Sequence, residues 1–98
     1  MRIDVVGKHL EVTPAIQDYA TKKVDKLTKI FDGTQQIRVY LESPQGKKGD
    51  FSVEVQVDVV KHQDFISKVA GPDLYAAIDT AVDKCQRQIR DYKEKLRS

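Results

Sequence analysis

The stretch FSVEVQVDV, residues 51–59, alternates between apolar and polar side chains. In an extended strand, successive side chains point to opposite sides, so Phe51 and the four valines share one face. The serine, glutamate, glutamine and aspartate between them share the other face. A strand with one polar face is typical of a sheet that is covered on one side and open to water on the other.

Three more strands are predicted, at residues 3–7, 36–42 and 65–70. Each of these segments is a β-branched or alternating run that is followed by turn-forming residues. The residues 43–50, SPQGKKGD, have the composition of a loop. The sequence KHQD at 61–64 predicts a tight turn into the last strand.

Two helices are predicted between and after these strands. Thr13 can cap the first helix and Pro14 suits its first position, and apolar residues then recur at helical spacing up to Phe31. Asp32 and Gly33 are expected to stop this helix, and Gly33 is able to adopt the left-handed conformation. A second helix of more than twenty residues begins at Leu74, after the breaker GPD.

The resulting order, β-α-β-β-β-α, predicts an α/β (α+β) fold: a two-layer sandwich in which a four-stranded mixed sheet carries both helices on one face. The helical crossover between the first two strands indicates that they are parallel. The length of 98 residues predicts a single domain over residues 1–98. The long valine-rich strand is expected inside the sheet, and the protein is expected to be a monomer in isolation.

Bulk composition narrows the possible functions. Cys85 is the only cysteine, so no internal disulfide can form, and its helical spacing predicts a buried thiol. No apolar run approaches the roughly 20 residues that span a bilayer, and we expect a cytoplasmic protein with no membrane contact. We found no HExxH, CxxC, GxSxG or glycine-rich phosphate loop. His9 and His62 are expected to be solvated, so the sequence predicts neither an enzyme nor a metal site nor a cofactor.

The net charge is only +2, but the positive charge is unevenly distributed. The two helical segments, 14–31 and 74–98, each carry an excess of two cations, whereas residues 32–73 carry an excess of two anions. Lys22, Lys26 and Lys29 are predicted to form one stripe away from the apolar face of the first helix. Two basic helices on one side of a sheet predict a surface for a polyanion, although each helix alone could be an ordinary solvated face. The candidate RNA-binding residues are Lys22, Lys23, Lys26, Lys29, Lys84, Arg87, Arg90, Lys93 and Lys95.

The segments EVTPAIQDYATKKVDKLTKIF (11–31) and DLYAAIDTAVDKCQRQIRDYKEKL (73–96) resemble the two helices of the ribosome hibernation-promoting factors. That family includes the ribosome-associated inhibitor protein Y and was once labelled sigma-54 modulation proteins. The resemblance implies binding to the small ribosomal subunit in the channel between head and body, where messenger RNA and tRNA would otherwise lie. It further implies that translation is inhibited. For the short form of the family, it implies that ribosomes are stored as dimers with the help of a separate ribosome modulation factor.

The resemblance also implies which residues contact ribosomal RNA. Basic positions of the family match the seven residues Lys23, Lys26, Lys29, Lys84, Arg87, Lys93 and Lys95. Arg90 matches some relatives, whereas Asp91 departs from the lysine that relatives often carry. Three alternatives stay open at this point: the amino-terminal domain of a long-form factor, a general double-stranded RNA binder, and a protein-interaction module.

Overall fold

The computed structural model describes residues 2–44 and 49–97. Its elements are, in order, β1 (Arg2–Lys8), α1 (Pro14–Ile30), β2 (Thr34–Glu42), β3 (Phe51–Val59), β4 (Phe65–Gly71) and α2 (Leu74–Arg97). The predicted order β-α-β-β-β-α is confirmed. Of the predicted loop at 43–50, residues 45–48 lie outside the described residues.

The four strands form one sheet in the order β1-β2-β3-β4. β1 pairs with β2 in parallel, as the helical crossover predicted, and the other two pairings are antiparallel. The predicted inner position of the valine-rich strand is also confirmed, because β3 lies between β2 and β4. The register places Val5, Val39, Val55 and Ser67 in one row across the sheet.

The core lies between the sheet and the helices. The valines at 53, 55, 57 and 59 of β3 are buried, whereas the polar residues between them are partly exposed on the opposite face. α1 lies over β1 and β2, and α2 lies over β3 and β4. Both helices therefore cover the same face of the sheet, and their outward faces share one surface of the molecule.

The helix starts follow the predicted capping chemistry. The Thr13 Oγ1 accepts a hydrogen bond from the backbone N–H of Ile16 at 3.3 Å, and Pro14 occupies the first helical position. At the start of α2, the Asp73 carboxylate accepts hydrogen bonds from the N–H groups of Tyr75 and Ala76 at 3.0 and 3.3 Å. These caps satisfy N–H groups that have no partner inside the helix.

α1 ends just before the predicted stop, without the left-handed conformation that Gly33 could adopt. The helix ends on Phe31, which is extended (φ −149°, ψ 113°), and Gly33 does not adopt a left-handed φ. Glycine is required there for space, since a Cβ at this position would lie 2.7 Å from the ring of Phe31 and 2.8 Å from Val60. Glycine is therefore needed at position 33 because the Phe31 ring packs against the turn, and not because of the way the helix ends.

The predicted burial of Cys85 is confirmed, and the thiol lies fully inside the core. Its sulfur lies 3.3 Å from the Ser67 hydroxyl, which donates a hydrogen bond to the carbonyl of Ala81 at 2.6 Å. Burial raises the pKa of the Cys85 thiol. A buried thiol with a raised pKa is a poor nucleophile, so Cys85 is a packing residue.

Candidate nucleic-acid interface

The two helices run side by side in the same direction. Residues early in α1 contact residues early in α2, and the residue that follows α1 contacts a residue late in α2. The rings of Tyr19 and Tyr75 lie 4.8 Å apart, and those of Phe31 and Tyr92 lie 5.6 Å apart. The carboxyl ends of α1 and α2 therefore lie at the same end of the molecule. Both ends carry a negative partial charge, which favours cations in their last turns.

Halfway along, the helices are joined by polar contacts that we call the interhelix seam (Tyr19, Lys23, Lys26, Asp79 and Asp83). The Tyr19 hydroxyl donates a hydrogen bond of 2.6 Å to Oδ1 of Asp79, and the Lys23 ammonium lies 3.2 Å from the same oxygen. The Lys26 ammonium donates to Oδ1 of Asp83, also at 3.2 Å. The Lys23 ammonium further lies 5.5 Å from the centre of the Tyr19 ring, a distance suited to a cation–π contact.

The seam shifts the titration of three of its groups. The pKa of Asp79 is lowered mainly by the hydrogen bond from Tyr19. Partial burial acts in the opposite direction, and the hydrogen bond from Lys23 lowers the pKa further. The same contacts raise the pKa of Tyr19 and the pKa of Lys23, since each proton is held by the Asp79 carboxylate. All three shifts favour the ion-paired, hydrogen-bonded form near neutral pH.

The seam adds contacts that the sequence did not predict for two of the candidate RNA-binding residues. The ammonium groups of Lys23 and Lys26 both meet carboxylates of α2. Asp79 and Asp83 were not among the candidate residues predicted from the sequence. The signal that could have found them is their spacing of four residues, which is about one helical turn. The two lysines are three residues apart, also about one turn, so the two pairs can meet once the helices lie parallel.

The remaining candidates on α1 differ from each other. Lys29 forms an ion pair of 3.5 Å with Asp25, one turn earlier on the same helix. Lys22 is exposed and forms no ion pair within the part of the chain that the structure describes. Lys29 and Lys93 line a common depression near the carboxyl ends of the two helices, together with Asp32.

A second group of cations lies further along α2, and we call it the cationic half of α2 (Lys84, Arg87, Arg90 and Lys93). Within residues 2–44 and 49–97, none of these four side chains forms an ion pair. The first three residues are exposed and Lys93 is half-buried. Lys95 is exposed on the same half of the helix. The ammonium and guanidinium groups of Lys84, Arg87, Arg90 and Lys93 can donate to phosphate oxygens without first giving up a carboxylate partner among the described residues.

Asp91 lies on a different flank of this helix from Lys93. It lines a groove between α2 and the β3–β4 turn together with His62, Tyr92 and Lys95, whereas Arg90 and Lys93 line a separate depression with Glu94 and Arg97. The aspartate that departs from the pattern of the family thus does not line the depression formed by Arg90 and Lys93.

The expectation that both histidines are solvated holds only in part for His62, which is half-buried. Its ring stacks on Phe65 at 4.7 Å between centroids with an angle of 13°, and it lies 4.3 Å from the ring of Tyr92. The tight turn folds the ring back over these neighbours. His9 is exposed, as predicted, with a φ of 54°.

Among residues 2–44 and 49–97, the outer face of the sheet offers no comparable cationic surface. The row Val6, Tyr40, Glu54 and Lys68 crosses it with alternating chemistry, and Arg38 pairs there with Asp64 at 3.3 Å. Tyr40, 37% exposed, is the only aromatic residue on this face among the residues that the structure describes. A sheet that binds RNA by stacking needs several such rings, so the helix face is the candidate interface.

A two-layer α/β domain that presents cations on two parallel helices is typical of a domain that binds a polyanion. Over residues 2–44 and 49–97, we found no helix that is long and apolar enough to cross a membrane. Nor do three or more histidine, cysteine or acidic side chains within those ranges lie together as potential metal ligands.

Comparison with known proteins gives this class a family. The family described as "Sigma 54 modulation protein / S30EA ribosomal protein" matches residues 3–97. The ribosome hibernation promoting factor of Klebsiella oxytoca is 32% identical over 98 residues, covering 99% of this chain and 98% of that protein. The ribosome hibernation promotion factor of Bacillus subtilis is 33% identical over 96 residues, which cover 98% of this chain but 50% of that longer protein.

Solved structures agree with these relatives. The crystal structure of the Thermus thermophilus Protein Y N-terminal domain is 35% identical, with a TM-score of 0.81 over 94% of this chain and 99% of that chain. A ribosomal subunit interface protein from Coxiella burnetii has a TM-score of 0.83 at 20% identity, over 96% of this chain and 99% of that one, and supports the fold. The chain belongs to the family of ribosome hibernation factors. Membership ties it to the ribosome and to a role in translation, and it confirms a binding protein rather than an enzyme.

Proposed function

We propose that this chain binds the small ribosomal subunit through the outward faces of α1 and α2, in the channel between head and body. There it blocks messenger RNA and tRNA, inhibits translation in the cytoplasm and favours stored, dimeric ribosomes. The observation that supports this proposal best is the cationic half of α2, whose four cations form no ion pair within the described residues. Relatives named for ribosome hibernation match nearly the whole chain.

The physical basis of the proposed binding is electrostatic. Cations along two parallel helices, with Lys29 and Lys93 at their common end, present a surface on which an RNA backbone can lie. Phosphate contacts position a protein without reading sequence, which suits a factor that recognises the shape of a folded ribosomal RNA. The interface needs no cofactor and no metal, and the protein acts on the ribosome as a monomer.

The test is a charge reversal in the cationic half of α2. We expect the variant Arg87→Glu/Arg90→Glu to lose about 100-fold in affinity for purified small subunits, because two phosphate contacts become two repulsive charges. Inhibition of a cell-free translation reaction should be lost in parallel. Circular dichroism should show an unchanged fold, since both side chains are exposed.

The matched control is Lys8→Glu/Lys68→Glu on the outer face of the sheet, which changes the net charge by the same amount. This control should bind subunits within about threefold of the unmodified chain, since long-range charge is screened beyond about 10 Å. Chemical footprinting of the subunit RNA with and without the protein locates the contact. Wild-type affinity of the folded Arg87→Glu/Arg90→Glu variant would overturn the helix-face mechanism.

A general double-stranded RNA binder is the second candidate, because phosphate contacts alone do not distinguish the two. A general binder would hold a short RNA duplex at moderate salt about as tightly as intact small subunits. We expect instead a strong preference for subunits, measured by competition between the two ligands.

A further inference from the structure

Two carboxylates lie on a surface that is otherwise suited to phosphate. The side chains of Asp79 and Asp83 are 41% and 60% exposed, and those of Lys23 and Lys26 are 39% and 43% exposed. An RNA backbone that approaches the seam therefore meets both charges of each pair. Each carboxylate cancels a cation that would otherwise attract phosphate.

The capping and the dipole of α2 do not require these two carboxylates. Asp73 already caps α2, and Asp79 and Asp83 lie about two and three turns further on, where the effect of the dipole has fallen off. Exposed ion pairs such as Lys26–Asp83 contribute little to folding. The α1–α2 contact also has apolar partners, including the ring pair Tyr19–Tyr75.

The seam affects specific and non-specific RNA binding differently. Binding to arbitrary RNA depends on the number of cations that can neutralise phosphates, so two compensated lysines lower it directly. In a specific complex, by contrast, each side chain has one defined position. A side chain whose conformation is already restrained in the free protein loses less entropy when such a complex forms. Lys23 is held by the Asp79 carboxylate and the Tyr19 ring, and Lys26 is held by Asp83.

We propose that Asp79 and Asp83 are specificity-determining residues, which lower the affinity of the helix face for arbitrary RNA more than its affinity for the small ribosomal subunit. Specificity of this kind is a difference between two affinities, and it is gained by weakening the wrong complex. The inference rests on the proposed function, because it takes the small subunit as the specific ligand.

The experiment uses the variant Asp79→Asn/Asp83→Asn, in which the side chains keep their size and lose their charge. An asparagine at 79 can still accept the hydrogen bond of Tyr19, so the fold is expected to persist and is checked by thermal unfolding. The probes are a duplex RNA of arbitrary sequence, about 16 base pairs long, and purified small subunits. We expect roughly a tenfold gain in affinity for the duplex near 0.1 M salt and less than a threefold gain for subunits.

The matched control is Glu54→Gln/Asp58→Asn, which removes two carboxylates from the outer face of the sheet. It should change affinity for either ligand less than about twofold, because that face lies behind the sheet. An unchanged duplex affinity of Asp79→Asn/Asp83→Asn, or an equal gain for both ligands, would overturn the inference. If the unmodified chain does not bind subunits, the proposed function fails and this inference fails with it. If instead the unmodified chain binds subunits but the ratio of its duplex affinity to its subunit affinity is the same in the variant, only this inference fails.

Discussion

The interhelix seam and the cationic half of α2 contain the same kind of residue in two different settings. In the seam, Lys23 and Lys26 each lie 3.2 Å from a carboxylate of the other helix. In the cationic half, Arg87 and Arg90 are exposed and form no ion pair within the described part of the chain. A basic residue on a helix is thus a candidate phosphate contact only after its neighbours on the adjacent helix are known.

The largest difference between the two regions is expected from charge reversal. Lys84→Glu/Arg87→Glu should lower affinity for small subunits about 100-fold while the free energy of unfolding stays within about 0.5 kcal/mol. Lys23→Glu/Lys26→Glu should instead lower the free energy of unfolding by more than this, because two attractive pairs become repulsive ones. Urea denaturation and sedimentation with subunits measure the two effects. Equal stability of the two variants would remove the distinction between the regions.

A smaller effect is expected from Tyr19→Phe, which removes the hydrogen bond to Asp79 without changing the ring. We expect the free energy of unfolding to fall by about 0.5–1 kcal/mol at pH 7. Because the pKa of Asp79 is lowered in the folded chain, its contribution is present above its unfolded value, about pH 4, and is lost as the pH falls further. The difference between the unmodified chain and Tyr19→Phe should therefore shrink in acid.

The same variant also gives an expectation at alkaline pH. The pKa values of Tyr19 and Lys23 are raised in the folded chain, so their contribution is present below about pH 10 and is lost as the pH rises further. Tyr40→Phe, on the outer face of the sheet, is the control and should change the free energy of unfolding at pH 7 less than Tyr19→Phe does. A Tyr19→Phe difference that is constant from pH 3 to pH 7 would contradict the role of the seam hydrogen bond.

The smallest expected effect is on the salt dependence of subunit binding. If roughly five phosphates are contacted, log affinity should fall with log salt with a slope of about −3.5 to −4.5. Arg87→Ala should reduce that slope by about 0.7–0.9, whereas Lys26→Ala should reduce it by less than half as much, since Lys26 is already compensated. Titrations at four or more salt concentrations resolve the two slopes, and identical slopes for both variants would show that the seam lysines act as free cations.

The sequence by itself determined the layers of this protein. Strict alternation in residues 51–59 predicted a strand with one buried face, and it is buried on that face between β2 and β4. Helical spacing of apolar residues predicted both helices and the buried thiol of Cys85. These features could be predicted because the side-chain periods of two and 3.6 residues are local properties of the chain.

The tertiary structure alone decided which charges remain available. Periodicity assigns a residue to a face of its own helix, but it does not give the distance or direction of the neighbouring helix. The pairing of Lys26 with Asp83, 57 residues apart, depends on the parallel packing of α1 and α2 over one sheet. For the same reason the stacking of His62 on Phe65 and the steric requirement for Gly33 were missed. Each depends on a ring or side chain that packing brings into contact, and an electrostatic interaction between exposed groups is decided by such distances rather than by composition.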